Sequence, residues 1–201
     1  MTRGLIAIIA LTVALIVFVI LRSSITAEKG GKIIAFVGFF ILPIMAVAIS
    51  GSVHLEKSKA TDFCLKCHVM EPYGQSLYID DPNYIPANHF QNHLIPNDKA
   101  CFTCHTSYTM FGGMKRKMQG LKHVYIYYLG KPIEKIELYD PYENRECLHC
   151  HEGARSFEEN PIHESVVLEI KNNEMSCLDC HDQIHNVTEL AELPKWQKGE
   201  M

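Results

Sequence analysis

The chain has 201 residues, of which 47% are hydrophobic, and 19 basic residues against 23 acidic ones give a formal net charge of -4. This balance offers no basic surface of the kind that binds nucleic acid, so nucleic acid is excluded as a partner. All eight cysteines lie after residue 60, which predicts an apolar front end followed by a chemically distinct second part.

Two apolar runs open the chain. Residues 4–21 (GLIAIIALTVALIVFVIL) and 33–50 (IIAFVGFFILPIMAVAIS) each contain eighteen residues without a charge. A helix crosses the hydrocarbon core with roughly 17 to 25 residues, so both runs predict transmembrane helices and residues 1–52 a membrane anchor. The alternatives are a signal peptide cleaved near Ala27 for the first run and a buried core helix for the second.

Every cysteine belongs to a repeated pattern of Cys, two residues, Cys and His: CLKCH, CFTCH, CLHCH and CLDCH. Two thiols add across the two vinyl groups of one porphyrin while the adjacent His reaches the iron, so CxxCH is the attachment signature of c-type haem. Zinc ribbons and disulfide frameworks do not require a His directly after the second Cys. The sequence predicts four covalent haem c groups, held by Cys64, Cys67, Cys101, Cys104, Cys147, Cys150, Cys177 and Cys180.

The place where c-type haem is attached orients the anchor. Attachment occurs outside the cytoplasmic membrane, so the motifs must lie on the periplasmic side. If the first run were cleaved near Ala27, the second run would remain as the membrane helix and would place the motifs in the cytoplasm, where haem is not attached. We therefore expect the first helix to be retained. The loop carrying Arg22, Lys29 and Lys32 is then cytoplasmic, in line with the positive-inside tendency. The expected location is the bacterial inner membrane.

Residues 53–190 are expected to form a compact tetrahaem domain. Four porphyrins supply much of its core, so the predicted fold is mainly α-helical with much irregular structure and almost no strand. Short helices are expected at each motif and a longer one across Gly113 to Leu129. Residues 191–201 are expected to form an exposed C-terminal tail.

The histidines supply candidate axial ligands. Those that follow each second cysteine are proximal by default: His68, His105, His151 and His181. Several others are expected to be distal ligands: one of His89 and His93, together with His163 and His185. Because His185 follows His181 by only four residues, it cannot reach the opposite face of the same haem and should serve a neighbouring one. His149 points away from the iron. His54, just past the second apolar run, could face a haem or quinone, or lie at headgroup level.

The first motif continues as Cys64-Leu65-Lys66-Cys67-His68-Val69-Met70. With four CxxCH motifs behind an N-terminal anchor, the chain resembles the NapC/NirT/NrfH family of membrane-bound tetrahaem quinol dehydrogenases over roughly residues 35–190. The resemblance implies that Met70 takes the proximal place at the first haem and that His68 stands aside, whereas chemistry alone favours His68. Thioether ligation would raise the potential of this haem.

Residues 106–128 (TSYTMFGGMKRKMQGLKHVYIYY) look like the amphipathic stretch of that family. The resemblance implies a quinol-site lysine at Lys117, or at Lys115 if the register shifts. The family's acidic position falls on His123, which could ligate the first iron or accept a proton; Glu71 is the alternative proton acceptor.

The resemblance also implies a pairing of distal ligands with haems. The region before the second motif (His89 or His93) would serve the fourth haem, His163 the second and His185 the third.

The function implied is electron transfer with quinol dehydrogenase activity: menaquinol from the quinone pool of the lipid bilayer would reduce the haems, which would pass electrons to a periplasmic redox protein or multihaem enzyme. Two alternatives stay open. One is a reductase of a small oxyanion at an open haem, and the other is an anchoring and wiring subunit of a larger respiratory complex.

Overall fold

The computed structural model describes residues 2–130, 141–190 and 192–195. These residues are mostly helical, and the only β pairing among them is one antiparallel bridge between Ile79 and Lys195. The mainly helical prediction with almost no strand is confirmed for this part of the chain. Most of the expected C-terminal tail, residue 191 and residues 196–201, lies outside the described residues. The chain divides into two compact units, residues 1–57 and 58–201.

The first unit consists of long apolar helices. Helix α1 spans Thr2–Leu21, α2 spans Lys29–Phe36 and α3 spans Leu42–Lys57. Two stretches, Arg3–Leu21 and Lys29–Lys57, are long and apolar enough to cross a membrane. Their most apolar windows are only 11% and 6% buried, whereas the core helix of a soluble protein would be mostly buried. The buried-core alternative for the second run is therefore disfavoured.

Pro43 lies inside the second of these stretches without ending it. A proline ring collides with the carbonyl four residues earlier in a regular helix and leaves one carbonyl without its N–H donor. Here the backbone widens into a π-helical turn over Val37–Ile41, immediately before Pro43, and then continues as α3. One wide turn accommodates the proline and keeps the helix continuous.

Short helices surround the four CxxCH motifs in the second unit. The first cysteine of each motif lies in a helical turn, as expected: α4 Thr61–Cys64, α7 Ala100–Cys104, α9 Asn144–His151 and a 3₁₀ turn Cys177–Asp179. The remaining short elements are α5 Glu71–Gln75, α6 Ile85–Gln91, α10 Arg155–Glu158, α11 Pro161–Lys171 and 3₁₀ turns at His68–Met70, Ser76–Tyr78 and Asn97–Lys99.

Helix α8, Gly112–Leu129, is the longest helix described in the second unit and lies where the sequence predicts it. It begins on a glycine because the backbone there lies against the preceding loop. A Cβ atom on Gly112 would stand 1.9 Å from the Ser107 carbonyl oxygen, a distance that no side chain tolerates. This close approach fixes the start of α8 beside the second motif.

The polypeptide's own apolar core is small. Among the described residues, one buried cluster is formed by Ile79, Tyr84, Ala87 and Leu190. A unit of this length ordinarily buries a larger apolar core. The small cluster agrees with a fold in which bound groups supply part of the interior.

Asn144 joins the third and fourth motifs. It is 3% exposed, and its side-chain amide donates to the carbonyls of Ile170 at 2.8 Å and Met175 at 2.6 Å. Its side-chain oxygen accepts from the Cys177 backbone N–H at 2.8 Å. One buried side chain therefore connects α9 with α11 and with the turn that carries the fourth motif.

Replacing Asn144 by Ala should lower the free energy of unfolding by about 3 kcal/mol, because three hydrogen bonds are lost and their buried partners are left unsatisfied. Thermal unfolding followed by the haem absorbance would measure the change. The exposed Asn83→Ala is the control and should change the midpoint little. Equal midpoints for the two variants would contradict the role given to Asn144.

Candidate functional site

Cysteines of neighbouring motifs lie close together. The Cys64 side chain lies beside that of Cys101, and the Cys147 side chain lies beside that of Cys177. These contacts join the first motif to the second and the third to the fourth.

A second set of contacts lies between the second and third motifs. Tyr142 donates from its hydroxyl to the Cys104 carbonyl oxygen at 2.6 Å. Glu146, whose side chain is 1% exposed, accepts from the Tyr108 backbone N–H at 3.1 Å and lies 3.9 Å from the Arg116 guanidinium. Burial is the main cause that raises the pKa of the Tyr142 hydroxyl, so this group stays protonated. The four motifs thus follow one another in space in the order of the chain.

Three motif histidines each face a histidine from elsewhere in the chain. The ring centroids are 6.0 Å apart for His105 and His185, 5.9 Å for His89 and His151, and 6.1 Å for His163 and His181. In each pair one ring belongs to a CxxCH motif and the other comes from outside the motifs.

These distances are a test of whether the residues suit a haem iron. Because a metal–imidazole bond is about 2 Å long, two imidazoles on opposite sides of one metal have ring centroids roughly 6 Å apart. All three pairs meet this requirement. By contrast, the described residues contain no cluster of three or more His, Cys, Asp and Glu side chains suited to a bare metal ion. The arrangement therefore suits iron held by a porphyrin and two axial histidines.

The partner histidines are also held in the tautomer that binds a metal. A carbonyl oxygen only accepts, so a ring nitrogen bonded to it carries the proton and leaves the other nitrogen free for iron. The Ser76 hydroxyl donates its proton to the Tyr73 carbonyl oxygen. Its oxygen therefore accepts the hydrogen bond from the His185 ring. The Nδ1 contacts are His89 to Ile85 O at 2.9 Å, His163 to Phe157 O at 3.2 Å and His185 to Ser76 Oγ at 2.7 Å.

His185 is kept neutral by its surroundings. Burial, with a smaller contribution from neighbouring His105, lowers the pKa of His185 to about 4. The neutral imidazole is the form that ligates metals. His185 is therefore ready to bind iron at neutral pH.

The first motif differs from the other three. The His68 ring meets the edge of the Tyr127 ring, with centroids 5.7 Å apart. The ring that contacts His68 is thus a phenol, which offers no imidazole nitrogen, whereas each of the other three motif histidines faces a second imidazole. Met70 lies half-buried in the adjoining turn.

Lys117 lies between the first and second motifs. Its ammonium donates to the Ser58 carbonyl oxygen and lies 5.1 Å from the centroid of the Phe102 ring and 5.9 Å from that of Phe63. Burial lowers the pKa of Lys117. This half-buried cation stands beside Cys64 and Cys101 in an aromatic setting, where its hydrogen bonds are stronger than in water.

His123 lies on another side of α8. It lines a cavity of about 130 Å³ together with His105, Arg116, Gln119, Gly120, Thr106 and Tyr142. Burial lowers the pKa of His123, with a smaller effect of Lys122. The cavity lining includes His123 but not Lys117, so the structure does not bring these two candidates into one cavity.

The other candidate histidines are distinguished by the fold. His93 is exposed and has a left-handed backbone with φ of 54°, whereas His89 faces the third motif. His149 stacks on Tyr108, with ring centroids 3.7 Å apart. His54 lies in the last turn of α3. Within the His89 and His93 pair, the geometry favours His89 as the ligand.

Comparison with known proteins identifies the family. A model described as the NapC/NirT cytochrome c family, N-terminal region, matches residues 25–190. The chain belongs to this family. It is a cytochrome c of electron transport, and membership implies covalently bound haem c.

Two curated relatives of this cytochrome are distant in sequence. Cytochrome c-type protein NapC of Haemophilus influenzae is 24% identical over 73% of this chain and 77% of its own length. Cytochrome c-type protein TorC of Escherichia coli K12 is 23% identical over 80% of this chain but only 44% of its own length, so the chain spans less than half of that relative. No solved structure matches.

The histidine contacts in the structure differ from the pairing of ligands with haems that the resemblance implies, and that pairing stays a prediction. His185 faces the second motif rather than the third, and His163 faces the fourth rather than the second. His89 faces the third motif rather than the fourth. The path of the chain is the reason: α11 follows directly on α10 and carries His163 to the motif that comes next, and Ser76 holds His185 beside the second motif.

Several residues important to the cytochrome's geometry were missed by sequence reasoning. Ser76, Tyr127 and Asn144 carry no motif, and each acts through a partner that is distant in the chain. Glu146 directly precedes Cys147, and a carboxylate beside a motif was a usable signal.

Proposed function

We propose that this chain is a membrane-anchored tetrahaem cytochrome c that takes electrons from menaquinol and passes them to a periplasmic redox partner. The observation that carries the proposal is the set of three His–His pairs with centroids 5.9–6.1 Å apart, each joining a CxxCH histidine to a distant one. When bound, the haems supply reversible one-electron chemistry. The order of contacts between motifs supports a path from the first to the fourth.

In this proposal the polypeptide fixes the ligands and the electron route. The eight cysteines would hold the porphyrins, and the iron ligands would be His105 with His185, His151 with His89, and His181 with His163. Met70 is proposed as the ligand at the first haem, with His68 set aside against Tyr127. The contact of His68 with a tyrosine rather than with a second histidine supports this assignment.

The proposed donor site lies around the first motif. The Lys117 ammonium would donate to a quinone oxygen in place of the Ser58 carbonyl. His123, whose pKa is lowered by burial, is neutral at neutral pH and would accept a proton. Lys117 is proposed to position the quinol. Because His123 does not share a cavity with Lys117, Glu71 stays the alternative proton acceptor.

The proposed location is the bacterial inner membrane, with residues 1–52 as the anchor and 53–190 on the periplasmic side. Two helices able to cross a membrane support the anchor. The requirement that c-type attachment take place outside the cytoplasm supports the orientation. The likeness to NapC and TorC supports a respiratory reductase system as the destination of the electrons.

Mass spectrometry of the intact protein should return the 22.9 kDa chain plus four haem masses. The Cys177→Ala/Cys180→Ala variant should carry three, because a motif without thiols cannot form thioether bonds. A native mass equal to the bare chain would contradict covalent attachment. Labelling of a new exposed thiol by an impermeant reagent in intact spheroplasts would test the side of the membrane.

One observation favours a second candidate function. If His68 rather than Met70 ligated the first iron, the neighbouring Tyr127 would supply no imidazole opposite it, and this haem could keep an open position and reduce nitrite, hydroxylamine or a similar small molecule. A high-spin signal that shifts when nitrite is added would support this function. Fully low-spin spectra would reject it. Quinol oxidation by the purified chain without a partner would reject the purely anchoring alternative.

A further inference from the structure

Glu146 carries a buried carboxylate that is only partly paired. Its side chain is 1% exposed, and one of its oxygens accepts from the Tyr108 backbone N–H at 3.1 Å. The other oxygen, Oε1, is buried without a hydrogen bond in the part of the chain that the structure describes, and it lies 3.9 Å from the Arg116 guanidinium. An ion pair this long recovers only part of the cost of burying a carboxylate, so stability alone does not explain the position of Glu146.

The two charges of the Arg116–Glu146 pair stand beside different haem motifs. Glu146 directly precedes Cys147, the first cysteine of the third motif. Arg116 lines the cavity of about 130 Å³ that is also lined by His105, the histidine of the second motif. Burial is the main cause that lowers the pKa of His105, and the Arg116 charge adds to it. The pair is therefore oriented, with its cation toward the second motif and its anion toward the third.

Aromatic rings pack beside the pair. Tyr108 stacks on His149, with ring centroids 3.7 Å apart, and donates its hydroxyl to the Thr103 carbonyl at 2.9 Å. Tyr142 lines the same cavity as Arg116. Charges act more strongly in such an interior than in water, because little solvent can reorient around them. The pair can therefore influence electron transfer at the two motifs that it joins.

We infer that the Arg116–Glu146 pair sets the second and third haems at different potentials, with Arg116 favouring the reduced form of the second and Glu146 the oxidised form of the third. A nearby cation stabilises an added electron, and a nearby anion opposes it. The pair thus biases an electron toward the second haem. This inference deepens the proposed function and rests on it, because it requires haems at the second and third motifs; it does not depend on which donor is oxidised.

Coulomb's law gives the size of the effect. A unit charge within about 10 Å of a redox centre changes the equilibrium constant for its reduction roughly tenfold when the effective dielectric constant is about 20. A tenfold change is about 59 mV for a one-electron couple. Each charge acts more weakly on the more distant haem, so removing one charge should shift the two potentials by different amounts.

The first test is a redox titration of the holoprotein, followed by absorption and electron paramagnetic resonance. Glu146→Gln removes the charge and keeps an oxygen that can accept from the Tyr108 N–H. It should raise the equilibrium constant for reduction of the third haem about tenfold, or about 59 mV, and that of the second haem less. The matched control is Glu143→Gln, because the Glu143 carboxylate is 42% exposed, pairs with Arg145 and is screened by water. Equal shifts in the two variants overturn the inference.

The cation should act in the opposite direction. Arg116→Gln should lower the equilibrium constant for reduction of the second haem about tenfold, whereas Arg145→Gln, which removes a 46% exposed guanidinium, should change it little. An unchanged or raised constant at the second haem in Arg116→Gln overturns the inference. Glu146→Asp keeps the negative charge with a shorter side chain and should stay close to the native potentials. If it shifts the third haem as much as Glu146→Gln does, the effect comes from packing and the inference is overturned.

Ligand variants identify which haem shifts. In a His89→Ala background the third haem should be high-spin, and in a His185→Ala background the second, so each can be followed by its own absorbance. A larger shift at the first or fourth haem than at these two overturns the inference. The intact mass of each variant counts the haems: fewer than four in the native protein contradicts the proposed function, whereas four haems with unshifted potentials overturn only the inference.

Discussion

Replacing His185 with alanine should convert one of the four haems from a low-spin to a high-spin form while the haem count stays at four. His185 faces His105 at 6.0 Å and is the candidate sixth ligand of the second haem. Attachment depends on cysteines and is unaffected, whereas the iron loses one axial bond. Absorption and electron paramagnetic resonance spectra of the purified protein would measure the loss of about one quarter of the low-spin signal.

Two variants make this experiment specific. His93→Ala removes an exposed histidine in a left-handed turn and should leave all the low-spin signal in place. His185→Met keeps a sixth ligand and should restore low-spin iron at a higher potential, since methionine raises the potential of a haem relative to histidine. If His185→Ala and His93→Ala gave the same spectra, His185 would not be the ligand.

Lys117→Ala should lower menaquinol oxidation by at least about 100-fold, a loss typical of removing one positioned donor from a reaction site. The variant should still carry four haems, because Lys117 supplies no attachment bond. Its ammonium is held between Phe63 and Phe102, so the alanine variant loses both the donor and the charge. Stopped-flow reduction by a menaquinol analogue would measure the effect.

Lys115→Ala is the matched comparison, because Lys115 lies two residues away on the same helix, is exposed, and is the alternative quinol-site lysine if the register shifts. It should oxidise quinol close to the native rate. Lys117→Arg keeps the charge and should retain part of the activity. A native rate of quinol oxidation in Lys117→Ala would reject this quinol site. A lower rate in both alanine variants would show that the rate depends on the overall positive charge of α8 rather than on Lys117.

The sequence was informative where chemistry is local. The CxxCH repeats place two thiols and an imidazole within five residues, so haem attachment can be inferred without a fold. The α8 prediction, Gly113 to Leu129, came within one residue of the observed Gly112–Leu129, because apolar spacing and glycine boundaries are local signals. The apolar helices of the first unit follow from composition in the same way.

Sequence reasoning was weaker where partners are distant in the chain. Ser76 and His185 are separated by 109 residues, and nothing near either one indicates the hydrogen bond between them. The resemblance pairs His163 with the second haem and His185 with the third, whereas in the structure they face the fourth and second motifs. Which motif a distant histidine faces depends on the route of the chain between motifs. Lys117 and His123 lie on the same helix, but their positions around the helix axis give their side chains different surroundings.

The sequence by itself determined the chemical class of this cytochrome: covalently bound haem c, a mainly helical polypeptide and an apolar front end long enough to span a membrane. Only the tertiary structure decided which histidine faces which motif, that His68 packs against Tyr127, and that one face of α8 is directed outward. Covalent attachment and helix formation depend on residues a few positions apart, whereas axial pairing and exposure depend on contacts that arise only when distant segments pack together.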